Sequence, residues 1–186
     1  MKKVLIALLV ISACGTSVFA AGEWKKDGSV MLGMGMPSGN VGTNVDSGIA
    51  FAFDYDGYKI NDNWSIAASL IDTSSPKKTT SGVDYTLSTW GLTPYAKYSK
   101  EMDMGGNKWN VYGAVGLGYY SVTSKAEIPG LISASVTDTK FGFNLGGGAM
   151  YPLNDKMQLG LDLRYHMVAS NLSYFIPAVK FAYSFN

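Results

Sequence analysis

Met157-Gln158-Leu159-Gly160-Leu161-Asp162-Leu163-Arg164-Tyr165 alternates without a break. Met157, Leu159, Leu161, Leu163 and Tyr165 share one parity, while Gln158, Gly160, Asp162 and Arg164 share the other, which His166 continues. A strand points successive side chains to opposite faces, so this period of two describes a wall with apolar surroundings on one side and polar ones on the other. The chain then turns through Val168 to Leu172 and ends in a second such strand, with Phe175, Pro177, Val179, Phe181, Tyr183 and Phe185 on one parity. Spaced aromatics closing an apolar face are what a strand in contact with lipid requires.

The same alternation recurs upstream. Strands are expected at about 29–36, 47–58, 64–72, 85–98, 109–122 and 139–151, which with the two above make eight. Asn61-Asp62-Asn63 reads as a tight turn, the polar 73–84 stretch as a loop, and 123–138 as the longest and most apolar loop. Pro94 cannot donate to a sheet ladder, so a bulge or local disruption is expected there. An even strand count puts both termini on one side. With that side periplasmic, Asn40, Ser75, Ser133 and Asn171 mark external loops, and Asp62, Met104 and Asp155 mark internal turns, with 99–108 long for its kind.

Alternation alone does not say which face is outside, since a soluble lipocalin-type barrel inverts the pattern. Three features oppose the inversion. The polar parity is crowded with Gly and Ala, as the lumen of a small barrel requires. Trp64, Trp109, Tyr58, Tyr98, Tyr151 and Tyr165 sit near strand ends, where interfacial aromatics belong. The apolar parity carries large residues on almost every strand, too many for so small an interior.

The N-terminus reads separately from the barrel. Met1-Lys2-Lys3, an apolar run from Val4 to Ile11, and Val18-Phe19-Ala20 before Ala21 form a secretory signal, too short to span a bilayer. Residues 1–20 are therefore expected to be removed, leaving 21–186 as one barrel domain. Cys14, the only cysteine, leaves with the signal; the competing reading is lipidation of Cys14 in Ile11-Ser12-Ala13-Cys14. A net charge of +1 with 16% charged residues argues against nucleic acid or any strongly charged partner. Aromatics at 13% and 22 glycines, with no later apolar run long enough for a membrane helix, fit apolar content distributed by alternation instead.

Together, the signal, Gly57-Tyr-Lys-Ile-Asn-Asp-Asn-Trp64, Gly91-Leu-Thr-Pro-Tyr95, Leu161-Asp-Leu-Arg-Tyr165 and the aromatic closing strand resemble the small outer-membrane barrels of the OmpA, OmpX and OmpW type. That resemblance implies an all-β, eight-stranded antiparallel up-and-down transmembrane barrel in a Gram-negative outer membrane, monomeric, with its termini in the periplasm. It also implies outer-membrane lipids, lipopolysaccharide and the barrel assembly machinery as partners. Members usually end on an aromatic residue that the machinery reads; here Phe185 is penultimate and Asn186 is last.

Asp54, Lys140, Asp162, Arg164 and Lys180 fall on the inward parity and are expected to form a lumen charge network, because buried charges need partners. The alternative is a gate along a pore. His166 and Ser170 resemble the His-x-Ser-Asn motif of outer-membrane lipid A deacylases, but the spacing is His-x-x-x-Ser-Asn and His166 lies on the inward parity. One histidine and no mature cysteine give little basis for a metal site, and no cofactor is implied. Three classes result: a non-enzymatic barrel whose loops make contacts, with limited passage of small or hydrophobic solutes; a narrow channel; and a lipid-modifying enzyme. The first is expected, with the surface ligand undefined.

Overall fold

The computed structural model describes residues 23–40 and 45–185, so the signal segment and Asn186 lie outside the described residues. Nine strands follow one another: β1 (Glu23–Ser38), β2 (Gly48–Lys59), β3 (Trp64–Ser74), β4 (Lys78–Thr80), β5 (Val83–Met104), β6 (Asn107–Ile128), β7 (Ile132–Pro152), β8 (Met157–Ala169) and β9 (Leu172–Ser184). Every pairing is antiparallel, each long strand pairs with the next, and β1 pairs with β9. Eight long strands thus close into an up-and-down barrel, with the three-residue β4 folded back on the outer end of β5. Closure leaves the wall no free edge, which a bilayer interior demands.

Two aromatic belts bound the exterior. One comprises Trp24 against Tyr58, Trp64 against Tyr98, and Trp109 against Tyr151. The other joins Trp90, Tyr119 and Phe141 edge to face. On β6 these belts are about ten residue steps apart, from Trp109 to Tyr119, which at about 3.3 Å per residue and a tilt of about 40° stands roughly 25 Å tall, the height of a hydrocarbon band. Between them the outward side chains are apolar and exposed, including Leu32, Phe53, Leu70, Leu92, Leu117, Leu145, Leu161 and Val179. Tyr58 departs from expectation: it is buried under Trp24 after a register shift between Asp56 and Tyr58, so Trp24 takes the exposed place.

The band ends within one row of residues. Leu70, Leu92, Tyr119 and Phe141 form its last apolar row across β3, β5, β6 and β7. The next row is Asp72, Trp90, Ser121 and Thr139, and the row after it is Ser74, Ser88, Thr123 and Thr137.

Turn chemistry separates the two ends. At the end that holds the termini, the Asn61 side chain accepts hydrogen bonds from the Asn63 and Trp64 amides, and Asn154 accepts from Lys156 and Met157 in the same geometry. Asp103 accepts from the Gly106 amide, with Gly105 and Gly106 at positive φ. These are side-chain-closed turns of minimal length. The opposite end carries the 39–47 connection and the folded-back β4 beside the short 129–131 and 170–171 turns, so the longest connections lie at the outward end and the terminal end has short turns alone.

Three expected loops are strands instead. The 123–138 segment is a β6–β7 hairpin turning only over 129–131, 99–108 is a β5–β6 hairpin turning at Gly105-Gly106, and 73–84 contains the end of β3 and all of β4. Their mixed composition hid a continuing backbone ladder, since small residues such as Ser124, Ala126 and Ala134 interrupt the apolar parity beyond the lipid band. Pro94 produces no bulge. Its register with β3 runs on unbroken, and only the ladder to β6 lapses at Thr93-Pro94 with no shift across the gap, as a missing N–H requires. A similar lapse lies in the β1–β9 seam, where Met34 and Gly35 face Ile176 and Pro177.

Candidate functional site

The inward parity places Asp54 on β2, Asp162 and Arg164 on β8, and Lys180 on β9 at one height in the lumen, all nearly inaccessible to solvent. Arg164 is the hub. Its Nη1 and Nη2 donate to the two oxygens of Asp54 at 3.0 and 2.5 Å, and its Nε donates to Asp162 Oδ1 at 3.0 Å. Nη1 also donates to Ser69 Oγ at 3.1 Å on β3. Lys180 Nζ lies 2.6 Å from Asp54 and 3.6 Å from Asp162. Two cations and two carboxylates therefore balance, and bidentate pairing supplies the geometry that makes burial of charge tolerable.

Other strands contribute polar support. Ser29 Oγ donates to Asp54 at 3.4 Å, the Tyr112 hydroxyl donates to Asp162, and the Tyr95 ring lies 5.4 Å from the Arg164 guanidinium. Tyr112 also sits under two ammonium groups, with Lys180 at 5.0 Å and Lys97 at 5.7 Å from its centroid, and Lys97 pairs with Asp56. β7 supplies space rather than groups: a Cβ on Gly148 would lie 2.7 Å from the Tyr112 hydroxyl oxygen and 2.3 Å from the Leu161 carbonyl oxygen. A single layer thus draws on every long strand of the barrel.

Above this layer the lumen is filled mainly by apolar side chains, with Thr73, Thr89, Asn144 and His166 among them, which alternation did not reveal. Met31, Ala52, Ile71, Val168, Ile176 and Tyr174 pack together, continuous with Val45, Leu87, Val122 and Leu172 nearer the outer mouth. Tyr120 lies over Gly118, where an added Cβ would come within 2.3 Å of the ring, and its hydroxyl meets His166 Nδ1 at 2.8 Å. The space left here is about 10 Å³, too small for any solute. Below the charged layer a vestibule of about 100 Å³ opens to the periplasmic end among Asp27, Asp56, Lys97, Asp155, Lys156 and Lys180, and ends blind at the network.

Lys140 is not part of the network. It sits on the inward parity of β7 but nearer the outer mouth, half exposed and paired with Asp138 at 2.5 Å. Parity gives the face of a residue and not its height, and Lys140 faces Tyr120 rather than the Arg164 layer. His166 is buried inside the barrel, while Ser170 is exposed in the β8–β9 turn. Ser69, Tyr95 and Tyr112 were not anticipated, although all three occupy inward positions; the missing signal was height, which register alone provides. Among the described residues no group of acidic, histidine or cysteine side chains is arranged to hold a metal ion.

Solved structures of similar shape are outer-membrane proteins. Neisserial surface protein A matches with a TM-score of 0.57 at 15% identity, covering 88% of this chain and 99% of its own. Ail, the attachment invasion locus protein of Yersinia pestis, solved in complex with the heparin analogue sucrose octasulfate, matches at 0.56 and 15%, covering 87% and 99%. OprG from Pseudomonas aeruginosa matches at 0.55 and 14%, covering 89% and 99%. No curated protein sequence matches the chain. The family model described as outer membrane protein beta-barrel domain matches residues 6–185. A closed wall with a 25 Å-class apolar band, a lumen sealed by paired charges, and a family match over almost the whole length lead to one assignment: the chain belongs to the outer membrane protein beta-barrel domain family and is an integral outer-membrane barrel.

Proposed function

We propose that this barrel is a non-enzymatic membrane element with a lumen closed to steady conduction, whose outer surface makes its contacts, delivered as a mature chain beginning at Ala21 after removal of residues 1–20. The observation that carries the reading is the double closure of the lumen. Arg164 bridges from β8 to Asp54 on β2, and the apolar layer of Ile71, Tyr120, Val168, Tyr174 and Ile176 lies above it. A solute would have to break the charge layer and then cross a hydrophobic constriction.

Two further observations support it. His166 points into the closed lumen and bonds Tyr120, away from lipid and from the exposed Ser170, so these two do not form a lipid-facing pair for acyl transfer. The outer lysines are each matched by a carboxylate: Lys77 by Asp84, Lys78 by Asp46, Lys125 by Glu127 and Lys140 by Asp138. The Ail structure holds a heparin analogue, but a polysulfate requires unneutralised cations, and these four leave little net positive field.

Planar-bilayer recording tests the closed lumen: at most small, intermittent currents are expected, and large steady currents would overturn it. Incubation with lipid A should release no fatty acid; release abolished by His166→Ala would make the protein an enzyme. Mass spectrometry of the purified protein should show Ala21 at the N-terminus, whereas an acylated Cys14 would select the lipoprotein alternative.

A further inference from the structure

The outer ends of β5, β6 and β7 continue past the lipid band as a three-stranded sheet, and its two faces differ. The face that overhangs the lumen carries Val83, Tyr85, Val122, Ile128, Ile132 and Val136. The opposite face, continuous with the barrel's exterior, is a field of hydroxyls: Ser88, Thr123 and Thr137 in one row, with Ser74 of β3 beside them, and Thr86, Lys125 and Ser135 in the next. Among the described residues the remaining wall has no such extension. On β1 and β9 the exterior passes from Met36 and Phe175 to the single pair Ser38 and Ser173, where both strands end.

We propose that this hydroxyl face binds the sugar headgroup of an outer-leaflet glycolipid whose acyl chains lie against the wall directly beneath it. The occupant follows from continuity. The molecule that touches Leu92, Tyr119 and Phe141 is a lipid, and the same outward parity one and two rows higher meets that lipid's headgroup. The chemistry matches a polyol rather than a phosphate. Hydroxyls both donate and accept, as sugar hydroxyls do, and Lys125, the one cation in the field, is held 2.9 Å from Glu127. The spacing matches as well, because neighbours across strands lie about 4.8 Å apart and neighbours along a strand about 6.7 Å apart, the scale on which a pyranose ring presents its hydroxyls. Most of these side chains are exposed, and Thr123 and Thr137 bond only each other at 2.9 Å. This deepens the reading of the outer surface as the contact surface and rests on it; it does not depend on the closed lumen.

Full-length mature protein reconstituted with phosphatidylethanolamine and lipopolysaccharide, then extracted in mild detergent, provides the test by native mass spectrometry. Wild type should retain lipopolysaccharide in preference to phosphatidylethanolamine. Ser88→Ala/Thr123→Val/Thr137→Val should lose that preference, and Ser38→Ala/Ser173→Ala should keep it. Retention unchanged in the triple variant, or lost equally in the double variant, would overturn the proposal. Water-soluble deacylated saccharide should not displace the bound lipid; displacement at equal concentration would overturn the assignment to a membrane lipid. Because the wild-type comparison of the two lipids needs no variant, absence of preference there also overturns it, and current recordings remain a separate measure of the lumen.

Discussion

Arg164 is the residue on which the interior depends. Replacing it with Met removes the shared partner of Asp54 and Asp162 and leaves two buried carboxylates with Lys180 as their one neighbouring cation, beside the Ser29 and Tyr112 hydroxyls. Breaking a buried pair from one side costs about 3–5 kcal/mol, so Arg164→Met should lower stability by that order in denaturant-dependent folding into lipid vesicles. Outside the lumen the sign of the environment reverses. Leu161→Arg puts a charge in the hydrocarbon at a cost of about 2–4 kcal/mol, whereas Gln158→Arg enters the polar vestibule and should be tolerated. Equal tolerance in the same vesicle assay would mean that the two faces are interchanged. The inward position of Asp54, Asp162, Arg164 and Lys180 was legible from parity alone, because a period of two needs no tertiary information. The exclusion of Lys140 and the recruitment of Ser69, Tyr95 and Tyr112 were not, since both depend on how far each strand has slid against its neighbours.

At the scale of elements, the strand cores were legible and their ends were not. Alternation marks a strand while large apolar residues fill one face; past the lipid band Ser124, Ala126 and Ala134 thin the apolar parity of the β6–β7 hairpin, and the β5–β6 hairpin carries polar residues on both near its turn. One of these ends has its own pH dependence. Asp84, four rows beyond the last apolar row, accepts hydrogen bonds from Lys77 at 2.8 Å and Thr79 at 2.5 Å, and these hold its carboxyl below the ordinary carboxylate value. A depressed folded value means that its contribution is complete above the unfolded pKa of about 3.9 and disappears as pH falls through the lower folded value. Hydrogen exchange of residues 78–85 should therefore be steady from neutral pH to about 5 and accelerate beyond the intrinsic rate change only in stronger acid; Asp84→Asn should abolish that acid step. Glycines on long strands offer a second contrast. Gly148→Ala places a Cβ 2.3 Å from a backbone oxygen and beneath Tyr112, while Gly113→Ala finds its nearest atom at 4.0 Å. The first should be strongly destabilising and the second nearly neutral, as read by the urea midpoint in vesicles.

For the whole molecule, the pattern of pairing separates local from distant contacts. Among the long strands, every ladder but one joins neighbours along the chain, β3 and β5 being separated only by the three-residue β4, and the exception is the β1–β9 seam. Integral insertion requires that the seam be made: the closed form should resist carbonate extraction and migrate differently on a gel before and after boiling, and a carbonate-soluble protein would contradict the closed barrel. The lapse in the seam where Met34 and Gly35 face Ile176 and Pro177 has a kinetic meaning. Hairpins can zip from their turns, but the first strand must find the last across the length of the chain, so closure carries the largest entropic search. It must also complete around a point where proline donates nothing, leaving the pairs on either side of the lapse to form as two separate runs. Gly33, whose Cβ would meet the Pro177 carbonyl oxygen at 2.3 Å, borders that point. Closing the cylinder is therefore the step at which this chain commits to the membrane, and Gly33→Ala should slow the gain of the fast-migrating form while leaving early strand formation, followed by circular dichroism, at its normal rate.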